Sequence, residues 1–190
     1  GHGGVCAPVL IGQGTRRKAI DERPTSRDPE AMSAHDFTFP ALEGGDINLA
    51  IFANRALLLV TTASECGYAG QFAELQQLYD QLGEHGLMVV AVPSNDFGEQ
   101  EPRDEGEIAR HYREDLGLTF PVTGKQQVIG SGAHRLFHWL REEAGEAAEP
   151  RWNFHKILLD TDGELAGVWP SSVSPRDPEV LQAIEAVLPG

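Results

Sequence analysis

The sequence predicts an α/β fold in which a central mixed β-sheet is flanked by helices and preceded by an N-terminal β-hairpin. Two apolar runs, residues 56–61 and 87–92, lack alternation of polar and apolar residues, as strands covered on both faces do. Between them lies a segment with apolar residues at helical spacing. Strands joined in this way are expected to be parallel, with a right-handed crossover. The 190 residues are enough for one buried core and too few for two domains to be expected.

The remaining elements follow in chain order. Residues 37–39 and 47–49, separated by Gly44-Gly45, predict the N-terminal hairpin. The central helix is predicted from about Gly67 to Leu82, with one apolar face formed by Phe72, Leu75, Tyr79 and Leu82. Further signals predict helices near residues 105–115 and 133–141, a closing hairpin over 157–169 that turns at Asp162-Gly163, and a last helix over 178–188. This order of elements is typical of a thioredoxin-like fold.

The first 31 residues differ from the rest in composition. They contain five of the fifteen Lys and Arg but only four of the twenty-nine acidic residues, and they show no sustained periodicity. This predicts a flexible arm at residues 1–31, followed by a single domain at residues 32–190. Met32 directly precedes the periodic part, so we expect the arm to be an extension ahead of the natural start, added for expression or by upstream translation. Intact-mass measurement of the natural protein tests this expectation.

Charge and cysteine number narrow the class of function. A net charge of −14 argues against nucleic acid and anionic membranes as partners, because these need clustered Lys and Arg. No apolar run approaches the ~18 residues of a membrane-spanning helix. The two cysteines, Cys6 and Cys66, allow neither a disulfide framework nor a CxxC pair. A reactive thiol must be re-reduced, and no signal-peptide pattern is evident, so the sequence predicts a cytoplasmic protein.

Three short segments far apart in the chain predict a thiol site. They are residues 63–67 with Cys66, residues 93–102 with Gln100, and residues 152–154 with Trp152 and Asn153. Cys66 follows a predicted strand and begins a predicted helix, whose N-terminal amides favour a thiolate. The two amides and the indole are uncharged donors that can stabilise a thiolate and then the oxygen that leaves a split peroxide. Without these neighbours, Cys66 would be typical of an inert buried thiol.

These motifs resemble the glutathione peroxidase family in its cysteine-containing form, from about His35 to Leu188. The resemblance implies a thioredoxin-like fold and a catalytic tetrad of Cys66, Gln100, Trp152 and Asn153. It implies reduction of hydrogen peroxide and organic hydroperoxides through a Cys66 sulfenic acid, which a thiol then reduces. It also implies that no prosthetic group is needed beyond the thiol co-substrate, for which glutathione or a thioredoxin-like reductant stays open.

Two positions bear on the choice of reductant. Tyr112 stands where thioredoxin-dependent members of the family carry a resolving cysteine, and Ser94 replaces a cysteine common in the Pro-x-Asn segment. The chain therefore resembles a one-cysteine enzyme, which favours glutathione or another small thiol. Cys6 could act as a resolving thiol only if the arm folded back onto the site.

Two arginines are candidates for binding the thiol co-substrate. Arg151 precedes Trp152 and Arg103 follows Pro102, so either could hold a glutathione carboxylate through bidentate contacts. The alternative is that both are solvated surface residues. The short segment 141–150, where tetrameric relatives have a longer insertion, implies a monomer with an open site.

His134 and His138 lie four residues apart on a predicted helix, but a third ligand is not apparent, so no metal site is predicted.

The alternative function is a peroxide sensor or redox-relay protein of the same fold, in which oxidised Cys66 passes its state to a partner protein.

Overall fold

The structure is a computed structural model that describes residues 32–190. The predictions about residues 1–31, including the flexible arm and Cys6, lie outside this range. The strands are β1 (Thr38–Pro40), β2 (Asp46–Asn48), β3 (Ala56–Thr62), β4 (Leu87–Pro93), β5 (Lys156–Leu159) and β6 (Leu165–Trp169). The α-helices are α1 (Gln71–Leu82), α2 (Glu105–Arg110), α3 (Arg135–Ala144) and α4 (Pro178–Val187). Among the described residues, every helix is too short or too polar to cross a bilayer.

The main sheet has four strands in the order β4-β3-β5-β6. β3 pairs with β4 in parallel, and α1 provides the crossover between them. β5 is antiparallel to both β3 and β6, so the sheet is mixed and closes with the predicted hairpin. β1 and β2 form a separate antiparallel hairpin ahead of the sheet. The predicted mixed sheet and N-terminal hairpin are both confirmed.

Each face of the sheet packs into its own hydrophobic cluster. Leu58 and Val60 of β3 face the cluster that includes Phe72 of α1, while Leu57 and Leu59 face the opposite cluster beneath α3. All seven residues of β3 are buried. Burial on both faces explains why this strand shows no alternation in sequence.

The central helix begins later than predicted, at Gln71 rather than near Gly67. The preceding residues form tight turns, in which the Ala69 N–H donates to the Cys66 carbonyl and the Gln71 N–H donates to the Tyr68 carbonyl. Glycine disfavours the helical state, and Gly70 at the helix boundary offers no side chain to cap it. Cys66 therefore lies in a turn between β3 and α1, ahead of the regular helix.

The structure also differs in detail from the helices predicted near residues 105–115 and 133–141. α3 begins at Arg135, and His134 is its N-cap, with Nδ1 accepting the Leu136 N–H at 3.1 Å. The other ring nitrogen of His134 lies 2.8 Å from the Thr38 carbonyl. The helix near residues 105–115 is α2 followed by a π-helical turn at His111–Asp115. Because both nitrogens of His134 are engaged within the fold, this residue is occupied in capping and packing.

Candidate active site

Cys66 is held in the turn that follows β3. Its side chain is buried, at 6% exposure, and its Sγ accepts a hydrogen bond from the Tyr68 N–H at 3.4 Å. Tyr68 itself is partly exposed, so this turn reaches the surface beside the sulfur.

Gln100 lies in the loop that follows β4, directly against the Cys66 turn. Its carbonyl accepts the N–H of Glu65 at 3.0 Å, so Gln100 pairs with the residue before Cys66. Gly98 and Glu99 just ahead have φ values of +66° and +52°. A left-handed backbone at a non-glycine residue such as Glu99 costs of order 1 kcal/mol and must be held by its surroundings. At Gly98, a Cβ atom would lie 2.9 Å from the ring of Trp152, which leaves no room for a side chain.

The Trp152-Asn153 segment is fastened to the end of β3. The Thr61 hydroxyl donates to the Trp152 carbonyl at 3.4 Å, and the Phe154 N–H donates to the Thr61 carbonyl at 2.6 Å. The Trp152 ring lies 5.9 Å from that of Phe97 and is 37% exposed. The segment thus enters the site from the β5 side, with the indole at the rim.

Asn153 is fully buried and connects this segment to the Gln100 loop. Its Nδ2 donates to Gln100 Oε1 at 3.0 Å and lies 3.5 Å from the Phe97 carbonyl. Its Oδ1 has no hydrogen-bond partner among residues 32–190. The structure therefore brings the three predicted segments together, with the amino group of Asn153 directed at Gln100 and the Tyr68 N–H directed at the sulfur.

A buried carboxylate beside these residues was missed by sequence reasoning. Glu101 is fully buried, and its carboxylate accepts the Ser64 N–H at 3.0 Å, the Ser64 hydroxyl at 2.8 Å and the Tyr112 hydroxyl at 2.8 Å. Burial and the Glu101 carboxylate raise the pKa of Tyr112 well above its usual value. The available signal was the Gln-Glu-Pro sequence, in which Glu101 follows a predicted site residue.

Position 112, where the sequence lacks a resolving cysteine, holds an aromatic side chain that is fixed by its contacts. Tyr112 is fully buried in the π-helical turn after α2, and its ring packs edge-on against Phe72 with ring centroids 4.9 Å apart. Its hydroxyl also lies 3.0 Å from the Thr62 hydroxyl. This side chain joins α2 to the end of β3, beneath the Cys66 turn.

The two candidate substrate-binding arginines have different surroundings. Arg103 lies 4.0 Å from Glu65 in a weak ion pair. Arg151 is exposed and lines an open groove of about 640 Å³ beside Trp152 and Phe97. Three carboxylates also line this groove: Asp96, Glu146 and Glu149. The groove therefore combines the cationic Arg151 and the apolar rings of Phe97 and Trp152 with acidic side chains.

Two ionisable residues at the start of β5 are buried behind the site. Lys156 is fully buried, and its Nζ donates to the Phe154 carbonyl at 2.6 Å, with the Pro170 and Ser171 carbonyls each at 3.4 Å. Burial lowers the pKa of Lys156 to about 7. His155 is buried with Nε2 3.2 Å from the Ala148 carbonyl, and burial lowers its pKa to about 4.

One group of carboxylates has the spacing of a metal site. Ligand oxygens of Asp160, Asp162 and Glu164 lie within 4.8 Å of one another in the turn between β5 and β6. Asp160 Oδ1 accepts the N–H groups of Asp162 and Glu164 at 2.9 and 3.0 Å, so this carboxylate helps to close the turn, together with the backbone hydrogen bonds from Asp160 to Glu164 and from Gly163 to Asp160.

Sequence comparison gives a consistent set of relatives. The sequence profile of the family described as "Glutathione peroxidase" matches residues 34–141. The glutathione peroxidase homolog BsaA of Bacillus subtilis is 37% identical over 152 residues, which cover 78% of this chain and 94% of that protein. The hydroperoxy fatty acid reductase gpx1 of Synechocystis is 36% identical, with 81% of this chain and 95% of that protein covered.

Solved structures agree with this result. The chain is similar to the apo form of Trgpx, with a TM-score of 0.65, 30% identity and coverage of 82% of this chain and 97% of that one. It is also similar to a thioredoxin-family thiol:disulfide interchange protein from Chlorobium tepidum, with a TM-score of 0.62 over 85% of this chain and 99% of that one. At 14% identity the second likeness concerns the fold alone, and the predicted thioredoxin-like fold is confirmed.

Proposed function

This chain belongs to the glutathione peroxidase family and is a thiol-dependent peroxidase, and from that premise we propose that Cys66 is its peroxidatic residue. The relatives do not favour the alternative of a peroxide sensor. The observation that supports the proposed site best is the 3.0 Å hydrogen bond from Asn153 to Gln100, in the loop whose backbone pairs with Glu65 beside Cys66. It joins two distant motifs next to the thiol.

The chemical cycle begins with the Cys66 thiolate. The sulfur attacks one peroxide oxygen, the O–O bond breaks, and the second oxygen leaves with a proton as water or an alcohol. The sulfur is then a sulfenic acid. One thiol condenses with it to release water and form a mixed disulfide, and a second thiol displaces Cys66 and leaves as a disulfide. Two thiols are thus oxidised for each peroxide reduced.

The neutral donors have separate roles in this proposal. Because Gln100 Oε1 is occupied by Asn153, the Nε2 group of Gln100 is the end of the amide left to donate to the leaving oxygen. The Trp152 indole, at the rim of the site, supplies a second donor. In this proposal Asn153 acts mainly by orienting Gln100.

The reductant is a thiol from outside residues 32–190. Tyr112 cannot form a disulfide, which supports glutathione or another small thiol, and a thioredoxin-like protein is the other candidate. Arg151, in the groove beside Trp152, and Arg103 are the proposed contacts for a thiol carboxylate. We also propose that residues 32–190 form the catalytic domain, that it acts as a monomer, and that it works in the cytoplasm. Light scattering tests the monomer.

Substitution of Cys66 tests the proposed site. Peroxide consumption is measured with glutathione and with thioredoxin as reductants, on hydrogen peroxide and on cumene hydroperoxide. Cys66→Ser is expected to abolish turnover with every pair, while the matched Cys6→Ser variant keeps it. Full turnover by Cys66→Ser would sink the proposal.

A further inference from the structure

The Glu101 carboxylate is an unusual group to find beneath an active site. It is fully buried, and a buried charge is costly unless hydrogen bonds compensate for lost water. Its contacts are the Ser64 N–H, the Ser64 hydroxyl and the Tyr112 hydroxyl, each of which can donate. An ionised carboxylate accepts all of these, whereas a protonated one would need an acceptor in return. Glu101 therefore serves as a fixed acceptor between two elements.

The backbone of Glu101 is held as firmly as its side chain. Its N–H donates to Asn95 Oδ1 at 2.9 Å, and its carbonyl accepts from Lys125 Nζ at 3.1 Å. Lys125 also donates to the Arg103 carbonyl at 2.6 Å. The loop around Glu101 is thus held by backbone contacts as well as by the carboxylate.

Two consecutive pairs join this loop to the Cys66 turn. The Ser64 N–H donates to the Glu101 carboxylate, and the Glu65 N–H donates to the Gln100 carbonyl. We infer that Glu101 is a positioning residue, whose carboxylate clamps the Cys66 turn against the 94–102 loop and so fixes the place of Gln100 relative to the sulfur. This inference rests on the proposed function, because it assigns Glu101 a role through Gln100.

The variant Glu101→Gln weakens the clamp with little change in size. The amide is uncharged and has one oxygen in place of two, so its hydrogen bonds with the Ser64 N–H and the Tyr112 hydroxyl lose the assistance of the charge, and the Ser64 hydroxyl must turn to accept from the new NH₂ group. In a Cys6→Ser background, single-turnover oxidation of Cys66 by hydrogen peroxide is compared with its alkylation by iodoacetamide. Alkylation needs the thiolate but no donor for a leaving oxygen. Misplacement of a catalytic group costs on the order of 100-fold in rate. The peroxide rate constant is therefore expected to fall at least ~10-fold, and the alkylation rate to stay within ~3-fold.

A double-mutant cycle shows whether Glu101 acts through Gln100. In a Gln100→Ala background, Glu101→Gln is expected to lower the peroxide rate constant by less than ~2-fold further, because the group that it positions is already gone. An undiminished effect in that background would overturn the inference. Equal losses in peroxide reaction and alkylation would overturn it as well, since they would indicate general disorder of the site.

Two further variants keep the test decisive. Tyr112→Phe removes one donor and leaves both Ser64 contacts, so it is expected to give the same pattern at smaller size, even if Glu101→Gln fails to fold. Unchanged peroxide reaction in a folded Glu101→Gln, or in Tyr112→Phe where Glu101→Gln does not fold, would refute the clamp. Glu74→Gln is the matched control, because Glu74 accepts the hydroxyl of Ser174, which belongs to none of the three site segments, and should leave both rates unchanged. If Cys66→Ser is inactive while Glu101→Gln reacts normally, this inference fails and the proposed function stands.

Discussion

The amino group of the fully buried Asn153 donates to Gln100: its Nδ2 lies 3.0 Å from Oε1, in a part-buried contact between two loops. The two amides thus form one unit, in which the first orients the second. In the proposed reaction Asn153 acts by aligning Gln100, so removal of its side chain is expected to slow the reaction.

Asn153→Ala is expected to lower the peroxide rate constant by about 10- to 100-fold, because the Gln100 amide is then free to rotate. Single-turnover oxidation of Cys66 measures this. Asn48→Ala is the control: its side chain accepts the Ala50 N–H at 2.9 Å on the exposed surface, so its loss should change stability and leave the rate intact. An unchanged rate in Asn153→Ala would contradict the aligned-amide account.

Gly98→Ala is expected to damage both stability and activity. The left-handed φ of +66° disfavours alanine by of order 1 kcal/mol, and the new methyl group would collide with the Trp152 ring 2.9 Å away. Gly117→Ala is a close control, since Gly117 has a φ of +67° and nothing within 4 Å of a Cβ atom. Urea unfolding and peroxide kinetics should show a similar backbone cost in both variants, with a rate defect in Gly98→Ala alone.

Stability is expected to fall between about pH 6.5 and pH 4 because of His155. Burial lowers the pKa of His155 to about 4, from 6.5 in the unfolded chain, so the unfolded state binds the proton first as pH falls. The contribution is complete above pH 6.5, declines toward pH 4 and is constant below that, with a total of about 3 kcal/mol. The measurement is the free energy of unfolding against pH. His155→Asn should flatten this part of the curve, and an identical slope would disprove the assignment.

Much of the fold could be predicted from hydrophobic and turn patterns in the sequence. β3 and β4 lack alternation because they are buried on both faces, and the two hairpins follow from Gly-containing turns between short apolar runs. Lys156 shows where such patterns fail. The sequence predicted the closing hairpin from residue 157, but β5 already begins at this fully buried lysine, because backbone carbonyls accept its Nζ. Contacts of that kind leave no trace in a hydrophobic pattern.

Part of the candidate site could likewise be predicted from the sequence, and part of it could not. Its residue types, order and neutral character could be predicted from three motifs, since the chemistry requires a thiol with uncharged donors. The role of Glu101 could not, because its donors Ser64 and Tyr112 come from parts of the chain that meet only after folding. The late start of α1 at Gln71 was also missed, because the apolar face of the helix extends its periodicity across Gly67 and Gly70.

The presence of Tyr112 in place of a cysteine affects the resistance of the protein to inactivation during turnover. Within residues 32–190 Cys66 is the sole cysteine, and the side chain at position 112 is a phenol locked in place by Glu101 and Thr62. In the proposed cycle, an oxidised Cys66 therefore waits for a thiol from outside residues 32–190. A second peroxide competes with that arrival and carries the sulfur on to the sulfinic acid, which ordinary thiols do not reverse. The ratio of thiol to peroxide in the surroundings then determines how many cycles each molecule completes before permanent inactivation.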